Sequence, residues 1–219
     1  MPLPKIEAVL FDMDGLMIDS ERVAQQAWTE AAREWGYPFE PAHYLHVTGI
    51  TVRDAEKKFK EIFGPDFPFY DIRARRSELV EACFQEHGIP LKPGLLGLLG
   101  ELKSRDIPRA VATSAGYDYA VNKLTRAGLL DWFDALVGGD QITHGKPHPE
   151  IFLTAAQKIN ADPARCLVLE DSEAGIRAAH AAGMIPVMVP DRKAPSPEVR
   201  QLAHYVATTL DEVREMMFS

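Results

Sequence analysis

The sequence predicts an α/β protein: a doubly wound, mostly parallel sheet with a small all-helical domain inserted after the first strand. Three observations carry this expectation. Short apolar runs recur along the 219 residues, each followed by a polar or glycine-rich turn and then a helical pattern, the alternation expected of parallel strands joined by crossover helices. One interval, residues 18–88, breaks that rhythm with helical patterns and no convincing strand. The first apolar run, Ala8-Val9-Leu10-Phe11, ends abruptly in Asp12-Met13-Asp14-Gly15, and ligands of such sheets collect beyond the carboxyl ends of the strands.

Taken in order, the first strand is expected at residues 6–11, since an apolar run closed by a turn signal suits an interior strand. In the helical block, Val23, Ala27, Trp28, Ala31 and Trp35 form one apolar stripe. Val52, Ala55, Phe59 and Ile62 form a second, and Leu79, Cys83 and Phe84 belong to a third. The block is too long for a crossover between neighbouring strands; it reads as a domain that could act as a lid over the strand ends. The first domain is therefore expected at residues 1–17 and 89–219, and the helical one at 18–88. A helix over 94–105 carries Leu95, Leu96, Leu98, Leu99 and Leu102; strand 109–112, helix 117–127 and strand 135–137 follow. Helix 149–160 carries Ile151, Phe152, Ala155, Ala156 and Ile159. Strand 166–169, helix 173–182, strand 185–189 and a weak strand at 205–207 complete the pattern, with a surface loop at 193–197.

Asp and Glu outnumber Lys and Arg by 32 to 24, a formal charge of −8, which argues against general nucleic-acid or anionic-membrane binding. An anionic substrate would need local donors or a metal to hold it. Cys83 and Cys166 lie in unrelated contexts with no zinc or disulfide spacing and are expected to be buried thiols. The acids at 12 and 14 interrupt the only apolar run near the N-terminus, so no signal peptide is read and a cytoplasmic protein is expected.

Side chains alternate along an extended chain, so Asp12 and Asp14 should leave on the same side. Two acids brought together repel, and neither stays ionised easily without a cation or a shared proton. A plain Asp-x-Asp-Gly turn is the structural alternative. The second strand ends Ala112-Thr113-Ser114-Ala115-Gly116 and opens a helix, a natural cradle for phosphate oxygens, although Ser114 could simply cap that helix. Lys146 precedes Pro147 in a loop on the same edge, where a solvated lysine is the alternative. The fourth strand ends Leu169-Glu170-Asp171-Ser172, where Asp171 or Ser172 could serve as a helix cap. Together these groups supply phosphotransfer equipment. Asp12, the Asp14 carbonyl and Asp171 would suit Mg²⁺, which prefers oxygen ligands and binds phosphate.

In this order and at these strand ends, Asp12-Met13-Asp14-Gly15, Thr113-Ser114, Lys146-Pro147 and Glu170-Asp171 resemble the haloacid dehalogenase superfamily of aspartate-nucleophile phosphohydrolases. The resemblance covers the whole chain, with the helical insert at the position of the family's first-type cap. It implies a Rossmann-like catalytic core in which Asp12 attacks phosphorus and Asp14 works as acid and then base. It further implies that Thr113, Ser114 and Ala115 hold the phosphoryl oxygens beside Lys146. Asp12, Asp14, Glu170 and Asp171 are the implied Mg²⁺ site. The dehalogenase branch lacks the second aspartate, so Asp14 argues for phosphate chemistry.

The strings around Asp12, Lys146 and Gly183 look most like the branch's sugar-phosphate and nucleoside-phosphate phosphatases, so the expected partner is a small phosphorylated metabolite. Residues 45–53 look like the family's specificity loop, from which His46 and Arg53 could reach sugar hydroxyls or a second anion; the alternative is that both are surface residues at helix ends. Arg73, Arg75 and Arg76 read as a solvated helix face, and Trp28 and Trp35 as core. A β-phosphoglucomutase-type mutase is the alternative, but Ala24 stands where that enzyme's cap histidine would fall and Val52 where its cap arginine would, with Arg53 adjacent. A phosphonoacetaldehyde hydrolase would need a cap lysine; Lys57, Lys58 and Lys60 instead suit the polar face of a helix. A non-catalytic phosphometabolite-binding protein is the remaining alternative. By analogy with the branch, a monomer is expected, with a weak homodimer as the alternative.

Overall fold

The computed structural model describes residues 5–47, 51–191 and 193–219. The elements run β1 (Ala8–Phe11), α1 (Ser20–Glu34), α2 (Pro41–Leu45), α3 (Val52–Phe63), α4 (Phe69–His87), α5 (Leu95–Ser104), β2 (Arg109–Ala112) and α6 (Tyr117–Arg126). They continue with β3 (Ala135–Val137), α7 (Glu150–Lys158), β4 (Cys166–Glu170), α8 (Glu173–Ala181), β5 (Ile185–Met188), α9 (Pro197–Leu202), β6 (Tyr205–Val206) and α10 (Leu210–Phe218). The chain divides into two compact units, Met1–Asp19 with Ile89–Ser219, and Ser20–Gly88. Ile18 stays with the first unit because it is buried and bridges Asp14 and Leu91, while the Asp19 N–H donates to the Pro90 carbonyl.

The first unit is built on a six-stranded sheet of order β3-β2-β1-β4-β5-β6, in which every pairing is parallel. Its central strands are buried on both faces, which is why they read as unbroken apolar runs and not as alternating ones. Ala8, Leu10, Ala110, Ala112 and Val168 pack against Ile151, Phe152 and Ala155 of α7 and Ala178 and Ala179 of α8. The small alanines let helix and sheet approach closely. In register, Phe11 faces Val111 on one side and Leu169 on the other. The residues that follow β1, β2 and β4 therefore emerge at one edge of the sheet.

Several boundaries differ from expectation. β1 begins at Ala8, β4 extends through Glu170, and α9 and α10 are additional helices. The 193–197 stretch leads into α9, whose cap is Ser196, with its side chain accepting from the Val199 N–H. Leu96 is exposed, because Leu95, Leu98, Leu99 and Leu102 already fill the inward i, i+3, i+4, i+7 positions of α5.

The helical unit has its own core of Trp28, Phe39, Phe59, Phe67, Phe69 and Ile72. The Trp28 ring stacks on Phe39 at 6.1 Å and meets Phe59 edge-on at 5.0 Å. Trp35, expected in the core, is exposed: it lies beyond the end of α1, where Gly36 turns the chain at φ +79°. Val52 is exposed too, as the first residue of α3 after the Thr51 cap. Arg75 is not merely solvated, since its guanidinium grips Glu34 of α1 with bonds of 2.7 and 3.0 Å. Lys57, Lys58 and Lys60 pair with Asp54, Glu61 and Glu56 on the outer side of α3. Cys166 is buried as expected, but Cys83 is only half-buried; neither is in a disulfide. Among the described residues no helix is long and apolar enough to cross a membrane.

Candidate active site

Asp12 is the first residue past β1, and its N–H donates to the Leu169 carbonyl of β4 at 3.0 Å. The ladder thus runs one residue beyond the strand and fixes where the side chain leaves. Lys146 arrives from the loop before α7. Glu150 ties that loop down, its two carboxylate oxygens accepting from the backbone N–H groups of Thr143 (2.8 Å) and His144 (2.9 Å). The Lys146 ammonium donates to Asp12 Oδ1 at 2.6 Å, Glu170 Oε1 at 2.6 Å and the Ala112 carbonyl at 3.0 Å. Its three protons are thereby accounted for. The lysine is a buried crosslink among β1, β2 and β4, not a solvated charge.

Glu170, expected among the metal acids, has another use. Beyond Lys146, its Oε2 accepts from the Ser172 N–H (2.9 Å) and hydroxyl (2.8 Å). Ser172 in turn caps α8 by accepting from the Gly175 N–H. Asp171 is not that cap. Its carboxylate lies against Gly15 so closely that a Cβ there would overlap it, and Gly15 holds φ +88°. Glycine is the residue that satisfies both demands. This contact brings the second acidic pair onto the turn that carries Asp12 and Asp14.

Thr113 is buried, donates its N–H to the Val137 carbonyl at 3.0 Å and accepts from the Ala115 N–H on Oγ1 at 3.2 Å. Ser114 is exposed and does not cap α6, whose cap position is Gly116. Asp14 is paired with Lys123 of α6, a residue the sequence reading passed over. A signal was present: Lys123 lies on the same helical side as Ala120 and Leu124, the inward stripe of α6. His46 follows α2 and Arg53 lies in the first turn of α3; both belong to the helical unit and both are exposed. Residues 48–50 of the expected specificity loop lie outside the described residues.

The charges at the sheet edge do not balance. Asp12 and Glu170 share the Lys146 ammonium, and the Asp171 carboxylate adds a further negative charge close enough to feel both acids. Burial pushes the Asp12 carboxyl up to about 7, against the pull of Lys146 and with Glu170 adding to the rise. Burial likewise lifts Asp171 to about 9, helped by Asp12, Glu170 and Asp191. Burial pulls the Lys146 pKa down, yet Asp12 and Glu170 outweigh it and hold the pKa above the ordinary lysine value. A surplus of buried carboxylate with hard oxygen donors is the donor set a divalent cation such as Mg²⁺ takes. The residues fit such an ion, for which Asp12 and Asp171 would supply carboxylate oxygens.

A cluster of buried carboxylates and a lysine at the carboxyl edge of a parallel sheet lies where α/β folds of this kind bind their ligands. The chain matches the haloacid dehalogenase-like hydrolase family over residues 6–183, and it belongs to that family. It is 33% identical over 179 residues to a phosphorylated carbohydrates phosphatase of Thermotoga maritima, with 82% of each chain covered. It is also 33% identical over 192 residues to the β-phosphoglucomutase of Bacillus subtilis, covering 84% of this chain and 83% of that one. A solved HAD family hydrolase of Deinococcus radiodurans, with bound phosphate and sodium, superposes with a TM-score of 0.81 at 26% identity, over 97% of this chain and 98% of that one. The expected family and fold class are met.

Proposed function

We propose that this protein is a Mg²⁺-dependent phosphatase that hydrolyses small phosphate monoesters, of sugars or nucleosides, through an aspartyl phosphate on Asp12. The observation that carries the reading is the buried Asp12 carboxylate, held by Lys146 at the carboxyl edge of the sheet. Asp12 forms the bond to phosphorus as the bond to the ester oxygen breaks, and Asp14 gives that oxygen its proton. Asp14 then takes a proton from the water that attacks phosphorus, the bond to Asp12 breaks, and phosphate leaves. Thr113 and the Ser114 and Ala115 backbone cradle the phosphoryl oxygens, with Lys146 beside them. Mg²⁺, held by Asp12, the Asp14 carbonyl and Asp171, would offset the charge of the phosphoryl group. Glu170 is better assigned to holding Lys146 and Ser172 than to the ion. The helical unit is the cap, and His46 and Arg53 are its candidate substrate contacts.

A mutase is the second reading, favoured by the similarity to β-phosphoglucomutase. Against it, the position of that enzyme's cap histidine is Ala24, which is buried in α1. The test is a panel of phosphate esters with Mg²⁺, glucose 1-phosphate included, following both phosphate and glucose 6-phosphate. Phosphate release from sugar or nucleoside phosphates, abolished by Asp12→Asn with the fold intact, is the expected result. Glucose 6-phosphate formation with little phosphate release would establish the mutase instead. No turnover of any ester despite bound Mg²⁺ would leave a binding protein.

A further inference from the structure

We infer that Lys123 is the positioning residue for Asp14, fixing its carboxylate for the two proton transfers; this rests on the reading of Asp14 as acid and base given above. Lys123 sits on the inward stripe of α6 with Ala120 and Leu124, and its side chain is only 7% exposed. A buried ammonium is unfavourable unless it is paired, and here the partner is the Asp14 Oδ1 oxygen. The Tyr119 ring lies 5.4 Å from the same ammonium and adds a second favourable contact. The pair joins the turn after β1 to the helix that follows the Thr113 cradle, across 109 residues of sequence. Asp14 itself keeps 35% of its side chain exposed, so Lys123 holds it while it remains within reach of solvent.

An ammonium only donates. As a donor to Asp14 Oδ1, Lys123 orients the carboxylate and takes no proton from the alcohol or the water itself. The two lysines thus divide the two aspartates: Lys146 orients the nucleophile, and Lys123 orients the acid-base residue.

The test compares first-turnover alcohol release from 4-nitrophenyl phosphate and from the fastest sugar phosphate of the panel. A sugar alkoxide needs a proton to leave, whereas nitrophenolate does not. Lys123→Met is expected to slow sugar release at least tenfold more than nitrophenol release, and Lys123→Arg to recover part of the loss. Equal slowing of both, or no slowing, overturns the assignment and leaves Lys123 a packing role. If Asp14→Asn shows the split and Lys123→Met does not, the Lys123 assignment alone fails. If Asp14→Asn shows no split, the role of Asp14 fails and this inference with it. Lys123→Gln carries the same comparison should Lys123→Met not fold.

Discussion

At Gly175, inside α8, an added Cβ would overlap the Glu170 carboxylate, whose oxygens are already held by Lys146 and Ser172. Helix propensity alone favours Ala over Gly by about 1 kcal/mol. Overpacking a filled site costs about 1–3 kcal/mol or more, and here the displaced group is a fully buried charge. Gly175→Ala should therefore destabilise the protein by about 2 kcal/mol and lower phosphatase turnover, because Glu170 helps to fix Lys146. Urea unfolding checks the sign; a more stable variant would show that Glu170 moves aside freely. At this scale the acids and Lys146 were legible as residue types at strand ends. Lys123 was not legible, because a lone lysine in a helical pattern resembles an ordinary surface charge.

Helix α10 illustrates the element scale. Its first turn holds Glu212, whose carboxylate accepts from Tyr205 Oη (2.5 Å) and from the Thr208 N–H and hydroxyl (both 2.7 Å). The Tyr205 bond, then the Thr208 bonds, depress its pKa from 4.5 to about 2. A depressed carboxylate contributes stability that is complete above the unfolded value and lost as pH falls through the folded one. Glu212→Gln should thus destabilise the protein at neutral pH, and its difference from the parent should shrink as pH falls from 4.5 to about 2. Denaturant titrations across that range would show it; a constant difference would mean the bonds matter without the charge. The apolar pattern predicts no helix beyond residue 182 because α9 and α10 bury few apolar residues, Val199 in one and Leu210 and Val213 in the other. Trp35 and Val52 depart from the expected burial for a related reason. Apolar spacing continues past a helix end, but burial stops where the helix does.

At the scale of the whole molecule, the carboxylates collected from β1 and β4 couple metal, pH and stability. Asp12 and Asp171, lifted to about 7 and about 9 by burial first, ionise freely only in the unfolded chain. The metal-free protein should therefore lose stability as pH rises from about 4 to about 9. Mg²⁺ binds the ionised groups, so it should flatten that decline, bind more tightly at higher pH and release protons on binding. At a hundredfold excess over Kd it would add about 2.7 kcal/mol, a rise in Tm of several degrees. Calorimetry in buffers of differing ionisation enthalpy and thermal melts measure both effects, and Asp171→Asn should remove them. A Tm indifferent to Mg²⁺ would count against the metal assignment. Truncating His46 and Arg53 together should shift the substrate preference profile more than it changes 4-nitrophenyl phosphate turnover. An unchanged profile would make both plain surface residues.

What the sequence determined by itself is the alternation of buried strands and helices, the helical insertion and the identity of the acids at the strand ends. These are local: an apolar run followed by a turn needs no partner to be recognised, and the family follows from such motifs in order. Only the tertiary structure decided which charges meet. Lys146 reaches Asp12 across 134 residues and Lys123 reaches Asp14 across 109, contacts set by parallel strand register and by the face α6 turns inward. The same packing separates Glu170, enclosed by Lys146, Ser172 and Gly175, from Asp171, which lies on Gly15. Adjacent in sequence, the two acids leave the end of β4 in different directions, because successive side chains of an extended chain face opposite ways.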